Sequence, residues 1–111
     1  MKTTINIYAK TKSKFADDPR KAEIILIEAM KLIKSGCSRI CFDFMGLELI
    51  NSAFLQDSIA RIALLGEFAN VSVKLLHFPE TSTDLLIDSI KLIRSKNIVT
   101  TDYYESLLQQ V

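Results

Sequence analysis

Few side chains in this sequence could do chemistry: one histidine (His77), two cysteines (Cys37 and Cys41), carboxylates at Asp43 and Asp57, and the hydroxyl of Ser52 beside Asn51. Asp43 with Asp57 would make a carboxylate pair for acid–base work, but no nucleophile or metal set completes it. Asp57 then reads as a solvent-facing or capping residue. A lone C-x3-C without a second cysteine pair supplies too few ligands for zinc, so Cys37 and Cys41 read as buried, reduced thiols. His77 closes an apolar run, where a single histidine is more often a hydrogen-bonded edge residue than a catalyst. The three glycines, Gly36, Gly46 and Gly66, fit neither the GxGxxG nor the GxxxxGK spacing, which argues against a dinucleotide site or a phosphate loop. The expectation is a non-enzymatic domain without metal or cofactor.

The most informative stretch is Asp43-Phe44-Met45-Gly46-Leu47-Glu48-Leu49-Ile50-Asn51-Ser52-Ala53-Phe54. It places an acid at the carboxyl end of an apolar strand, then a loop, then a helix start. In open α/β sheets that end of the strands is where sites collect. Asn51 or Ser52 can cap the helix, leaving first-turn N–H groups to attract an anion, and a phosphate on Ser52 would sit in the helix dipole. The plainer reading is an N-cap at Asn51 or Ser52, with Asp43 accepting loop N–H bonds.

The elements that must hold this turn alternate between strand and helix. Thr3–Ala9 sets Ile5 and Ile7 between polar neighbours, which predicts a half-buried strand. Asp18-Pro19 marks a helix start, and Ala22, Ile25, Leu26, Ala29, Leu32 and Ile33 form one stripe closed by Gly36. Arg39–Phe44 reads as a central buried strand. Ser52–Ala69 reads as a second helix with Leu55, Ile59, Ile62 and Leu65 inward, and Val71–His77 as a third strand. After Pro79, Thr81 or Ser82 caps a helix to about Lys96 carrying Leu86, Ile90 and Ile93. A short strand at Asn97–Thr100 and a helix at about 102–110 follow, with Tyr103, Tyr104, Leu107 and Leu108 packing on the sheet or docking another molecule. Strands separated by helices of this length pair in parallel through right-handed crossovers. The fold class expected is α/β: one domain over 1–111, with a roughly four-stranded, mostly parallel or mixed sheet and three to four helices. Antiparallel pairing of the first strand at an edge stays open.

Composition agrees with such a fold. The 111 residues are 49% hydrophobic and 24% charged, the balance of a folded domain rather than a disordered chain. The formal charge of +1 gives no global field for nucleic acid or anionic lipid. Charge is uneven, however: residues 1–21 hold six basic residues against two acids, and the remainder eight against eleven. Lys10, Lys12 and Lys14 read as a solvated loop that keeps an edge strand from aggregating. No apolar run approaches the ~20 residues of a membrane span, and Met1–Lys10 has no signal core. A cytoplasmic protein is therefore expected.

The run CFDFMGLELINSAFLQDSIARI, Cys41–Ile62, resembles the STAS domain signature of sulphate transporters and anti-sigma-factor antagonists. More narrowly it is similar to a bacterial STAS-like family of unknown function, through Asp43-Phe44-x-Gly46-Leu47, Ala53-Phe54, the acid at Asp57 and the upstream Arg20-x-Ala22. The resemblance spans roughly residues 5–95. It implies a docking module used in signalling: in anti-sigma antagonists a serine kinase of the histidine-kinase ATPase fold phosphorylates this helix start and switches partner affinity. The family turn reads Asp-Ser-Ser-Gly with the second serine as acceptor. Here Asn51-Ser52-Ala53-Phe54 stands there, so Ala53 occupies the acceptor position, Ser52 is the neighbouring hydroxyl, and Phe54 reads as core.

Two functions follow as expectations. The first is a regulatory protein-interaction domain that docks a partner such as an ATPase-fold kinase through Asp43, Gly46, Glu48, Asn51, Ser52, Gln56 and Asp57, with a homodimer also open. The second is a small-molecule or nucleotide-binding domain that uses the helix start at Asn51-Ser52 as an anion site.

Overall fold

Three parallel strands form the central sheet of the computed structural model, which describes residues 2–96 and Gln109. They are β1 (Lys2–Asn6), β3 (Arg39–Asp43) and β5 (Ser72–Leu76), in the order β1-β3-β5. The expected four-stranded sheet is thus three-stranded among the described residues. The first strand lies at an edge and pairs in parallel, Lys2 with Arg39 through Asn6 with Asp43. A separate parallel pair joins β2 (Phe15–Ala16) to β4 (Leu49–Ile50). The expected strand at 97–100, the helix at 102–110 and the residues Tyr103, Tyr104, Leu107 and Leu108 lie outside the described residues.

The first strand stops earlier than the Ile5–Ile7 alternation predicts. Asn6 ends it by turning its side chain onto the next turn, where Oδ1 accepts the Ala9 N–H at 2.8 Å. Helix α1 (Ile7–Thr11) follows and closes on Lys12 in the left-handed region at φ 55°. Ile7 is buried as expected, but as the first residue of a helix. Lys10 is likewise helical rather than in a loop, and its ammonium lies 3.3 Å from Glu28.

Helix α2 (Pro19–Lys34) begins as the sequence predicts. Asp18 Oδ1 accepts the Arg20 and Lys21 N–H groups at 2.7 and 3.1 Å, and Pro19 fills the first position, where an N–H would lack a partner. Ala22, Ile25, Ala29 and Ile33 are buried together with Met30, while Leu26 and Leu32 are partly covered. The helix ends at Ser35, and Gly36 turns the chain at φ +94°.

Ser52–Ala69 is helical throughout, as expected, but not uniformly so. Helix α3 (Ser52–Leu55) runs into a wider π turn at Gln56–Ala60 and continues as α4 (Arg61–Ala69). Within the wide turn the Ser58 hydroxyl donates to the Phe54 carbonyl at 2.7 Å, and a side chain placed in the backbone ladder is a known source of such widening. Leu55, Ile59, Ile62 and Leu65 are all buried. The last helix, α5 (Thr83–Lys96), follows a 3-10 turn at Glu80–Ser82 and so begins directly after Ser82, one of the two expected caps.

Both crossovers step the same way across the sheet, from β1 to β3 and from β3 to β5. Right-handed connections that step in one direction place their helices on one face. Burial follows this rule: Ile5, Ile40, Phe42, Val73 and Leu75 point into the core with the helices, while Lys2, Thr4, Ser72, Lys74 and Leu76 face outward and are exposed. Phe42 and Phe54 are the largest fully buried side chains. Each contributes about 1.5–3 kcal/mol by leaving water. Gly66 lets α4 approach β5: a Cβ there would lie 2.9 Å from the Val71 carbonyl oxygen and 3.2 Å from Val73 Cγ2.

Candidate functional site

The carboxyl ends of the three strands lie together and end in polar residues: Asn6 on β1, Asp43 on β3, and His77 immediately after β5. Asp43 Oδ1 accepts the Met45 N–H at 3.0 Å and the His77 Nδ1–H at 2.8 Å. The Met45 N–H first, and the His77 hydrogen bond second, hold the Asp43 carboxyl below its ordinary pKa. His77 sits in the left-handed region at φ 54°. The two strand ends are clamped further by the Phe44 N–H donating to the Leu76 carbonyl at 3.0 Å. Phe44 and Phe78 also pack edge to face with centroids 4.8 Å apart.

His77 is therefore a hydrogen-bonded residue at a strand end, as expected, yet its partner was not legible. Asp43 and His77 are 34 residues apart, and only the parallel register that sets Asp43 beside Leu76 brings them together. Asp43 is not paired with Asp57, whose carboxylate lies 3.7 Å from Arg61 one helical turn on. Both cysteines are buried and unbridged. Among the described residues no three His, Cys, Asp or Glu side chains converge as metal ligands. No helix among them is long and apolar enough to cross a membrane.

Beyond Asp43 the chain turns through Gly46 at φ +95°, and Tyr8 of α1 lies over it: a Cβ there would be 3.3 Å from Tyr8 Cγ. The next residues run beside the segment that follows α1. Glu48 and Leu49 N–H both donate to the Lys14 carbonyl, and the Glu48 carboxylate lies 3.7 Å from the Lys14 ammonium. Phe15 and Leu49 are in register on the β2–β4 pair. As a result Tyr8, Phe15, Met45 and Leu49, which are 40, 47, 56 and 48% exposed, gather on two adjoining segments. Neither residue type nor local spacing marks these four as a group. Their signal was weak, since Phe15 and Leu49 look like ordinary strand residues until their pairing is known.

The helix start differs in kind from this patch. Asn51 Oδ1 accepts the Phe54 N–H at 2.9 Å, its Nδ2 donates to the Asp17 carbonyl at 3.0 Å, and its own N–H donates to the Ala16 carbonyl at 3.1 Å. Asn51 is thus an N-cap that also ties β4 to the chain entering α2. Ser52 and Ala53 are exposed, while Gln56 and Asp57 are half-buried on the π turn. Phe54 is fully buried, as expected. A shallow groove of about 240 Å³ borders the site between Leu47–Ile50 and Pro79, Thr81 and Ser82. A larger hollow of about 430 Å³ lies at the opposite end of the strands, lined by Ser38, Gly66, Asn70 and Ser72.

Comparison of the chain with models of protein families, with curated proteins and with solved structures gives no match.

Proposed function

We propose that this chain is a non-enzymatic, STAS-like docking domain whose recognition surface is the turn after β3. The observation that carries the reading is the grouping of Tyr8, Phe15, Met45 and Leu49, partly exposed apolar side chains on the paired segments 8–15 and 45–49. Apolar side chains exposed together and rimmed by charge are a usual mark of a protein contact. Here the rim is Lys14 with Glu48, the exposed Lys12, and Ser52 at the helix start. The resemblance through Asp43, Gly46 and the Ala53-Phe54 pair suggests a regulator such as an ATPase-fold kinase as the partner. Asp43 serves this surface from beneath, by fixing the Met45 N–H and with it the turn. A phosphate switch at this helix start would have to use Ser52, because Ala53 carries no hydroxyl.

The test is site-specific photocrosslinking in the native cell from Met45, from Leu49, and from the exposed Ile24 on α2 as a control. A discrete adduct from Met45 and Leu49 but not from Ile24, lost in a Phe15→Asp variant that melts like the wild type, is the expected result. The same adducts from all three positions, or none from any, would overturn the reading. Intact-mass measurement of the purified chain reads phosphate on Ser52 in the same experiment.

A further inference from the structure

The face of the sheet turned away from the helices carries a second, chemically different surface. Two outward rows lie in register across the strands, Lys2–Arg39–Ser72 and Thr4–Cys41–Lys74. Lys2, Thr4, Ser72 and Lys74 are exposed and Arg39 is half-buried. Cys41, 4% exposed, lies at the centre and stands apart from the helix-side core. Lys2, Arg39 and Lys74 make no ion pair among the described residues, and the one acid on this face, Asp43, is engaged by Met45 and His77.

Two physical arguments say that this face is built for a cover. Parallel sheets normally have both faces packed, and among the described residues this one has helices on one side only. Moreover, Lys2 and Arg39 stand directly opposite each other, with Lys74 diagonal to Arg39. Like charges so placed oppose folding, and among the described residues no ion pair offsets them. An acidic partner relieves that repulsion.

We propose that an acidic helix of a protein partner docks on this face, separately from the surface beside Gly46. The dimensions fit. The outer strands stand about 10 Å apart and five residues run about 16 Å. A single helix is about 10–12 Å wide, and about eleven residues of it reach 16 Å. None of the outward residues of the three strands is aromatic, so the face offers no platform for unpaired bases. Leu76 is its one large apolar side chain, too little to enter a bilayer.

The probe is a labelled, alanine-rich helical peptide of about 15 residues with glutamates along one side, followed by fluorescence anisotropy. Binding to the wild type should weaken as salt rises from about 50 to about 200 mM. It should be about tenfold weaker in Lys2→Gln/Lys74→Gln, a loss of about 1.4 kcal/mol. That variant should melt at or above the wild type at low salt, because the repulsion is reduced. A Met45→Ser/Leu49→Ser variant should bind the peptide unchanged, which separates this proposal from the one above. The proposal is overturned by any of four results. These are no binding by the wild type, equal binding by the lysine variant, tighter binding of oligothymidylate or phosphatidylserine vesicles than of the peptide, and self-association of the chain that the lysine substitutions abolish.

Discussion

Replacing Asn51 tests whether that residue holds the fold together or presents itself to a partner. Its side chain makes two hydrogen bonds, accepting the Phe54 N–H at 2.9 Å and donating to the Asp17 carbonyl at 3.0 Å. Losing a cap costs about 1 kcal/mol. Losing a hydrogen bond at a half-buried position costs about another 1 kcal/mol. Asn51→Ala should therefore destabilise by about 2 kcal/mol. At roughly 4–8 °C per kcal/mol for a small domain, the melting temperature should fall by roughly 8–16 °C. Asn51→Ser keeps an oxygen for the Phe54 N–H and gives up the bond to Asp17, so it should lose about 1 kcal/mol. Urea unfolding followed by far-ultraviolet circular dichroism measures both, with an unchanged denaturant slope showing that unfolding stays two-state. An alanine variant within about 0.5 kcal/mol of the wild type, the range of an uninvolved surface position, would refute the assignment. So would a serine variant as damaged as the alanine one. Below its melting temperature Asn51→Ala should still form the Met45 crosslink, because both ends of the amide are already used inside the chain.

Gly66→Ala sets two effects against each other: alanine favours the helix by about 1 kcal/mol, but overpacking costs about 1–3 kcal/mol. Because the new Cβ would meet the Val71 backbone oxygen at 2.9 Å, the clash should win, lowering the melting temperature; a rise would mean that α4 and β5 are not so close. Acid should destabilise through Asp43 and Asp18, whose folded pKa values are both lowered. Backbone N–H groups are the chief cause, from Met45 for Asp43 and from Lys21 for Asp18. A lowered folded pKa stabilises fully above the unfolded carboxylate value of about 3.9 and is lost as pH falls through the folded value. Melting between about pH 5 and pH 3 should thus decline less in Asp43→Asn and Asp18→Asn than in the wild type, and parallel declines would count against the two contacts.

What was legible in the sequence was what neighbouring residues decide among themselves. Asp18-Pro19 specifies a helix start locally, and Arg39–Phe44 specifies a strand by its short β-branched and aromatic run, with Ile40, Phe42 and Phe44 on one face. Ile5 and Ile7 show where such reasoning stops. Two apolar residues flanking Asn6 suit a strand, but Asn6 equally suits a cap, and the chain takes the cap. The pairs Phe15–Leu49 and Ala16–Ile50 are too short to carry a periodic signal, and backbone bonds to the Lys14 and Ala16 carbonyls join the two segments. The Asp43–His77 contact depends on a register no local pattern encodes.

The same distinction moves the centre of the site. A helix start recruits a ligand through N–H groups that lack partners. In this chain Asn51 already takes the Phe54 N–H, and Glu48 and Leu49 N–H are spent on the Lys14 carbonyl. These backbone N–H groups of the turn are thereby bonded within the chain itself. What the turn offers outward is the apolar part, Met45 and Leu49, together with the Tyr8 and Phe15 side chains that the same hydrogen bonds bring alongside. In the docking surface proposed above, Asn51 and Asp43 hold the turn through hydrogen bonds within the chain, and the partner contact is assigned to side chains whose position only the folded chain defines.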